Sequence, residues 1–161
     1  MAFTRRNFIG AASAATAAVL ATGNANAQGK GTGKRKMKDL KIALLQIDSN
    51  QNDIAGNLKK ITTRVEEASR KKANLMISCE LGMSAFLFSR AEYLSVAQTI
   101  PGPATDEVGV YAKKANSYVV FGLPEKDGGD LYNSIAVVGP KGNLVAKYRK
   151  MHLWLTENPK T

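Results

Sequence analysis

The sequence predicts an α/β fold, layered in the α+β manner, and three observations carry that prediction. The run "LKIALLQID" (Leu40–Asp48) is almost continuously apolar, as a strand covered on both faces should be. Directly after it, apolar residues recur from Ile54 through Leu58, Ile61, Val65 and Ala68 at spacings of four, three, four and three, the period of an amphipathic helix. The last third of the chain is a series of β-rich segments separated by Gly-containing turns. Strands that alternate with helices and then give way to hairpins describe stacked layers around a sheet, not a helical bundle.

The elements follow in order. "SNQND" before Ile54 supplies helix-entry residues, and the helix ends near Lys72. "NLMISCE" (Asn74–Glu80) is a second strand that closes on a carboxylate. The loop "LGMSAFLFSR" carries Phe86 and Phe88, which line a cavity or pack beneath one. "PGPATDEVGVYAKKANS" reads as a Pro/Gly turn, an N-cap at Thr105 or Asp106, and a helix that turns Val108, Tyr111, Ala112 and Ala115 inward. "YVVFGLPE" is a third strand, "KDGGD" a turn between antiparallel strands, and "LYNSIAVVG", "PKGN" and "LVAKYRKMHLW" a strand, tight turn and strand. The predicted order is β-α-β-α-β-β-β, with no internal repeat.

Two segments precede this domain. In "TRRNFIGAASAATAAVLATGNANA", the pair Arg5 and Arg6 is followed by a weakly apolar Ala-rich run from Phe8 to Ala21 and then by the small-residue site Ala25-Asn26-Ala27. These three parts in this order resemble a twin-arginine translocation signal, which implies export to the periplasm or beyond and a mature chain from Gln28. The apolar run falls short of the roughly 20 residues needed to cross a bilayer, so no stable membrane anchor is expected. Residues 1–27 are therefore read as signal peptide, 28–38 as a basic Gly-rich linker, and 39–161 as the domain.

Charge excludes less than it suggests. The 161 residues hold 23 Lys+Arg against 13 Asp+Glu, a formal charge of +10 that falls to +8 once Arg5 and Arg6 leave with the leader. Six basic residues lie in "KGTGKRKMKDLK" (Lys30–Lys41), a Gly-rich stretch with no aromatic to stack on a base. It reads as a solvated linker, and no nucleic-acid partner is expected. A single cysteine rules out an internal disulfide, and one His and one Cys far apart in sequence form no metal-ligand cluster.

Chemistry-bearing residues stand where strands end: Glu80 after "LMISC", Glu125 after "VVFGLP", and Lys150 in "KYRKMHLW". With "GLPEKDGGDLYNSIAVVGPKG" between them, these motifs resemble the nitrilase, or carbon–nitrogen hydrolase, superfamily from about Leu40 to Thr161. The resemblance implies an αββα sandwich, of which this stretch is the N-terminal half. It also implies hydrolysis of a non-peptide C–N bond in a small amide, carbamoyl compound or nitrile through a Cys thioester, with no metal or cofactor. By motif position Glu80 matches the general base and Lys150 the catalytic lysine. Glu157, in "LTEN", falls where many members keep a further acidic residue, and Tyr132 and Asn133 are candidates for the pocket. Relatives commonly pair and stack, which implies a homo-oligomer for the full-length protein.

The chemistry explains those residue types. A thiol attacking a carbonyl or nitrile carbon needs a base to take its proton and later to activate water. Negative charge then grows on the substrate oxygen or nitrogen, where a fixed ammonium stabilises it most if water is excluded. A dry cleft holding both groups is thus the expectation. Plainer readings stand beside it: Glu80 as an exposed strand-end carboxylate, Lys150 as part of a solvated edge, Tyr132 and Asn133 as packing residues. Glu125 is read as a turn residue, and His152, on Lys150's face if the strand stays extended, as a hydrogen-bonded structural residue.

One departure from the family pattern matters. The resemblance places the nucleophilic cysteine well downstream of the lysine, whereas the only cysteine here is Cys79. Adjacent side chains on an extended strand point to opposite faces, so Cys79 and Glu80 should not share a pocket. Cys79 is read as a small buried apolar residue, and no nucleophile is assigned in this chain. A fragment or a prematurely ended reading frame is expected, with little or no hydrolysis and with sheet surface left open to association. The competing reading is a non-catalytic exported protein that keeps half the scaffold for binding. A basic protein associated with nucleic acid is the weaker third.

Overall fold

The computed structural model of the protein describes residues 39–154. The proposed leader, the linker and Glu157 lie outside the described residues. Within them run β1 (Ile42–Leu45), α1 (Ile54–Arg70), β2 (Leu75–Ser78), α2 (Arg90–Val96), α3 (Pro103–Ala115), β3 (Tyr118–Asp127), β4 (Asp130–Val138) and β5 (Leu144–Arg149). The strands form one mixed sheet in the order β1-β2-β3-β4-β5. β1, β2 and β3 are parallel neighbours, and β4 and β5 are added antiparallel. The α/β class predicted from the periodicities is the one observed.

The helices begin and pack for local reasons. Asp53 caps α1 by accepting the Gly56 N–H at 2.9 Å, which makes "SNQND" the helix entry. Leu58, Ile61, Val65 and Ala68 are buried on one stripe of α1, as the spacing predicts. α3 starts earlier than expected. Gly102, not Thr105 or Asp106, is its N-cap, and Pro103 occupies the first turn, where its missing N–H costs no helical bond. The Thr105 hydroxyl instead receives the Gly102 N–H at 2.8 Å. α2 has no counterpart in the predicted order. It is seven residues long, too short to show a period, and is set by a capping box between Ser89 and Glu92.

α1 and α3 cover one face of the sheet. Met76, Val119, Phe121, Leu123, Ala136 and Val138 point into that layer and are fully buried. Truncating Phe121 to Ala would cost about 3–5 kcal/mol, the usual penalty for emptying a core aromatic. The opposite face is apolar as well: Leu44, Ile77, Val120, Val137 and Ala146 stand in register across all five strands. Among the described residues nothing layers over this row, and Leu44 is 72% exposed. The expectation that β1 is covered on both faces is therefore corrected. Among the described residues it is a four-residue edge strand, with Ile42 and Leu44 exposed.

Strand direction brings four strand ends to one rim. The carboxyl ends of β2 and β3, the start of β4 and the end of β5 lie side by side, because the last two strands run antiparallel in sequence order. Ligand sites in α/β sheets favour such a rim.

Candidate active site

Glu80 lies two residues past β2, in a turn pressed flat against β3. Gly122 permits the approach: a Cβ there would sit 2.5 Å from the Leu81 nitrogen and 2.9 Å from the Cys79 carbonyl oxygen. The Met83 N–H donates to the Gly122 carbonyl at 3.1 Å, and Leu81 takes a left-handed φ of 48° to close the turn. Beneath the loop that follows, Leu81, Leu87 and Tyr93 form a small second core, with the Tyr93 hydroxyl accepting the Leu87 N–H at 3.1 Å. The carboxylate is thus carried by a turn that is itself clamped at both ends.

Lys150 reaches the same point from β5. Its Nζ donates to Glu80 Oε1 at 2.6 Å, and the Asn133 side-chain amide donates to the same oxygen at 2.7 Å. The Asn133 main-chain carbonyl also accepts the Lys150 N–H at 2.8 Å. One buried residue of β4 therefore orients the carboxylate with its side chain and the lysine with its backbone. Two of the predicted site residues, Glu80 and Lys150, meet, and Asn133 joins them.

Tyr132 does not. It neighbours Asn133 on β4 and so faces the other side of the sheet, where the Arg149 guanidinium lies 3.6 Å over its ring. Tyr132 thus faces away from the Glu80–Lys150 contact. His152 lies beyond the end of β5, which stops at Arg149, so strand alternation does not place it. It is exposed, in a shallow depression of about 430 Å³ shared with Phe86, Lys150, Leu153 and Trp154. Phe86 thus meets the expectation of a lining residue, whereas Phe88 is 75% exposed. Phe86 and Trp154 meet edge to face at 6.5 Å between ring centres.

Two further corrections concern burial. The Glu80 and Lys150 side chains are 42% and 32% exposed, so the described residues do not make the dry cleft expected; the pair borders the uncovered sheet face. Cys79 is exposed, not a buried apolar residue, because β2 ends at Ser78 and Cys79 already belongs to the turn.

Glu125 is a strand residue, not the turn residue its sequence neighbours suggest. It lies inside β3, opposite Tyr132, and is 1% exposed. Its Oε2 accepts from the Ser134 hydroxyl at 2.6 Å and from Arg149 Nε at 2.9 Å. Its Oε1 accepts from Arg149 at 2.8 Å and from the Lys147 ammonium. Burial pushes this carboxyl up, but the hydrogen bonds from Arg149, Lys147 and Ser134 outweigh it and hold the pKa down to about 2. Glu125 and Asp127 in turn make the Arg149 guanidinium hold its proton more tightly. Turn arithmetic contained the signal. Gly128-Gly129 is a two-residue hairpin loop, and counting back from it pairs Asp127 with Asp130 and Glu125 with Tyr132 in the ladder.

Among the described residues no three His, Cys, Asp or Glu side chains gather as metal ligands, and no helix is long and apolar enough to cross a membrane.

Residues 41–161 match the family described as Carbon-nitrogen hydrolase. A nitrilase of Pyrococcus abyssi is 38% identical over 120 residues, which cover 73% of this chain and 45% of that protein. The omega-amidase NIT2 of Homo sapiens is 36% identical over 127 residues, covering 76% and 44%. The crystal structure of an N-terminal amidase superposes with a TM-score of 0.66 at 25% identity, over 73% of this chain and 29% of that one. The chain spans less than half the length of these curated relatives.

Proposed function

The chain belongs to the carbon–nitrogen hydrolase family, and from that premise we propose that its Glu80–Lys150 pair is the base and charge-stabilising part of a site that hydrolyses a C–N bond in a small amide, carbamoyl compound or nitrile. One observation supports this above the others. A carboxylate and an ammonium 70 residues apart in sequence are brought to 2.6 Å at the sheet rim, oriented by a single buried asparagine.

The geometry suits a division of labour. Lys150 and Asn133 both donate to Oε1 of Glu80, and among the described residues no hydrogen bond goes to Oε2. Oε2 is the oxygen that takes a proton from an attacking thiol and later from water. Lys150, held by the end of β5, meets the charge that develops on the substrate oxygen or nitrogen. That contact strengthens as the charge grows, so it favours the transition state over the bound substrate. The Phe86–Trp154 wall beside Lys150 supplies apolar surface for the rest of a small substrate.

The thiol in this reading is not Cys79. Replacing Cys79 by Ala therefore leaves the Glu80–Lys150 geometry intact, and the 161-residue chain by itself hydrolyses little or nothing. A chimera supplies the test: residues 41–161 in place of the matching stretch of the Pyrococcus abyssi relative, assayed against amides, carbamoyl amines and nitriles. Hydrolysis by the chimera that survives Cys79→Ala and falls at least about a hundredfold in Glu80→Gln supports the proposal. Hydrolysis indifferent to Glu80→Gln, or turnover by the 161-residue chain that needs Cys79, contradicts it.

For location, we propose that Arg5 and Arg6 direct twin-arginine export of the chain. A fusion that loses periplasmic delivery when both become Lys tests this, and unchanged delivery refutes it.

A further inference from the structure

We propose that Glu125 is a positioning residue for Lys150, acting from the opposite face of the sheet; the idea rests on the reading of Lys150 as charge stabiliser. The Glu125 carboxylate accepts from Ser134, Lys147 and Arg149, on the face of the sheet opposite the Glu80–Lys150 contact. Its partners lie on β4 and β5, so one buried carboxylate on β3 ties β3, β4 and β5 together at the rim.

The need for such a tie follows from where β5 sits. Among the described residues it is an edge strand paired only with β4, and its ladder is already irregular at Val137/Val138. Only main-chain bonds to β4 would set its register at the far end, where Arg149 is the last strand residue. Register there decides which face Lys150 occupies. Side chains alternate, so Lys147 and Arg149 share the helix-covered face while Lys150 passes to the face of Glu80 and Asn133. A slip of one residue would exchange those faces and direct Lys150 toward Glu125, away from Glu80.

The cation-rich "KYRK" (Lys147–Lys150) makes that error chemically plausible, since Lys150 could neutralise Glu125 as Lys147 does. Arg149 removes the ambiguity. Its fork donates to both oxygens of Glu125 and also to Asp127 at 2.6 Å, a planar match that a lysine ammonium cannot reproduce. Its flat side lies over Tyr132, so the guanidinium is held in its plane and from above. Lys150 leaves the strand at the next residue, from a backbone fixed on the far side.

The test reads the Lys150 ammonium directly, with no substrate, so failure of hydrolysis would sink the functional reading and leave this result standing. In the full 161-residue chain labelled with 15N-lysine, the Lys150 ε-ammonium signal is identified by its disappearance in Glu80→Gln. In Glu125→Gln, with the backbone amide pattern of α1 and α3 preserved, hydrogen exchange at Lys150 is expected to accelerate about fivefold or more, the worth of one net hydrogen bond. An unchanged Lys150 in a folded Glu125→Gln chain, with only Lys147 affected, overturns the proposal. Should Glu125→Gln not fold, Ser134→Ala removes one donor to Glu125 and no charge. Faster Lys150 exchange in that variant supports positioning, and unchanged exchange refutes it.

Discussion

Lys150 Nζ and Glu80 Oε1 lie 2.6 Å apart at the sheet rim, on side chains carried by an edge strand and by a turn packed flat on Gly122. Both side chains are about a third exposed or more, so their attraction adds little to folding. An ion pair so placed is worth less than about 1 kcal/mol. Lys150→Met is therefore expected to shift the unfolding free energy of the chain by under about 1 kcal/mol, while lowering hydrolysis by the chimera at least about a hundredfold. Denaturant titration and steady-state kinetics on the same preparations check the two halves.

Acid should act through Glu125. Its folded pKa of about 2 is below the ordinary 4.5, so its contribution is fully present above about pH 4.5 and is lost as pH falls toward 2. The shift corresponds to stability on the order of 3 kcal/mol. Urea unfolding between pH 6 and pH 2 should show that loss in the native chain and lack its share in Glu125→Gln. Parallel pH profiles for the two would contradict the assignment.

Gly122 should tolerate no side chain. A methyl group there meets the Leu81 nitrogen at 2.5 Å, main chain that cannot swing aside. Gly122→Ala is expected to destabilise the chain by about 1–3 kcal/mol, the usual range for overpacking, and to weaken the Lys150 ammonium signal by displacing Glu80. Calorimetry and the same 15N spectra read both effects.

The uncovered sheet face predicts self-association. Leu44 and Tyr148 are 72% and 56% exposed on it. Leu44→Lys with Tyr148→Lys should reduce both association in sedimentation and binding of an apolar dye, with little change in stability, because neither side chain is buried. Unchanged association would place the sticky surface elsewhere.

Much of this site was legible because two kinds of signal agreed. The apolar periods located the strands, and motif position at their ends singled out Glu80 and Lys150, which do meet. Legibility failed where a residue's environment depends on register. Tyr132 and Asn133 are adjacent, and only the pairing of β4 with β5 decides that Asn133 reaches Glu80 while Tyr132 lies under Arg149. Glu125 precedes Lys126, Asp127 and two glycines, which reads as turn chemistry, yet the loop needs only Gly128 and Gly129. Cys79 reads as buried because the sequence pattern carries the strand to Glu80, two residues past its end at Ser78. The seven residues of α2 offer less than the two turns a helical period needs.

A double-mutant cycle at Glu80 and Lys150 in the hydrolysing chimera tests the central claim most directly. If the two groups work on one bound molecule as a unit, Glu80→Gln and Lys150→Met each remove most of the rate and the double variant is scarcely worse than either. Losses that simply multiply, or a single variant that keeps full activity, would show that the contact at the sheet rim is not the working part of the site.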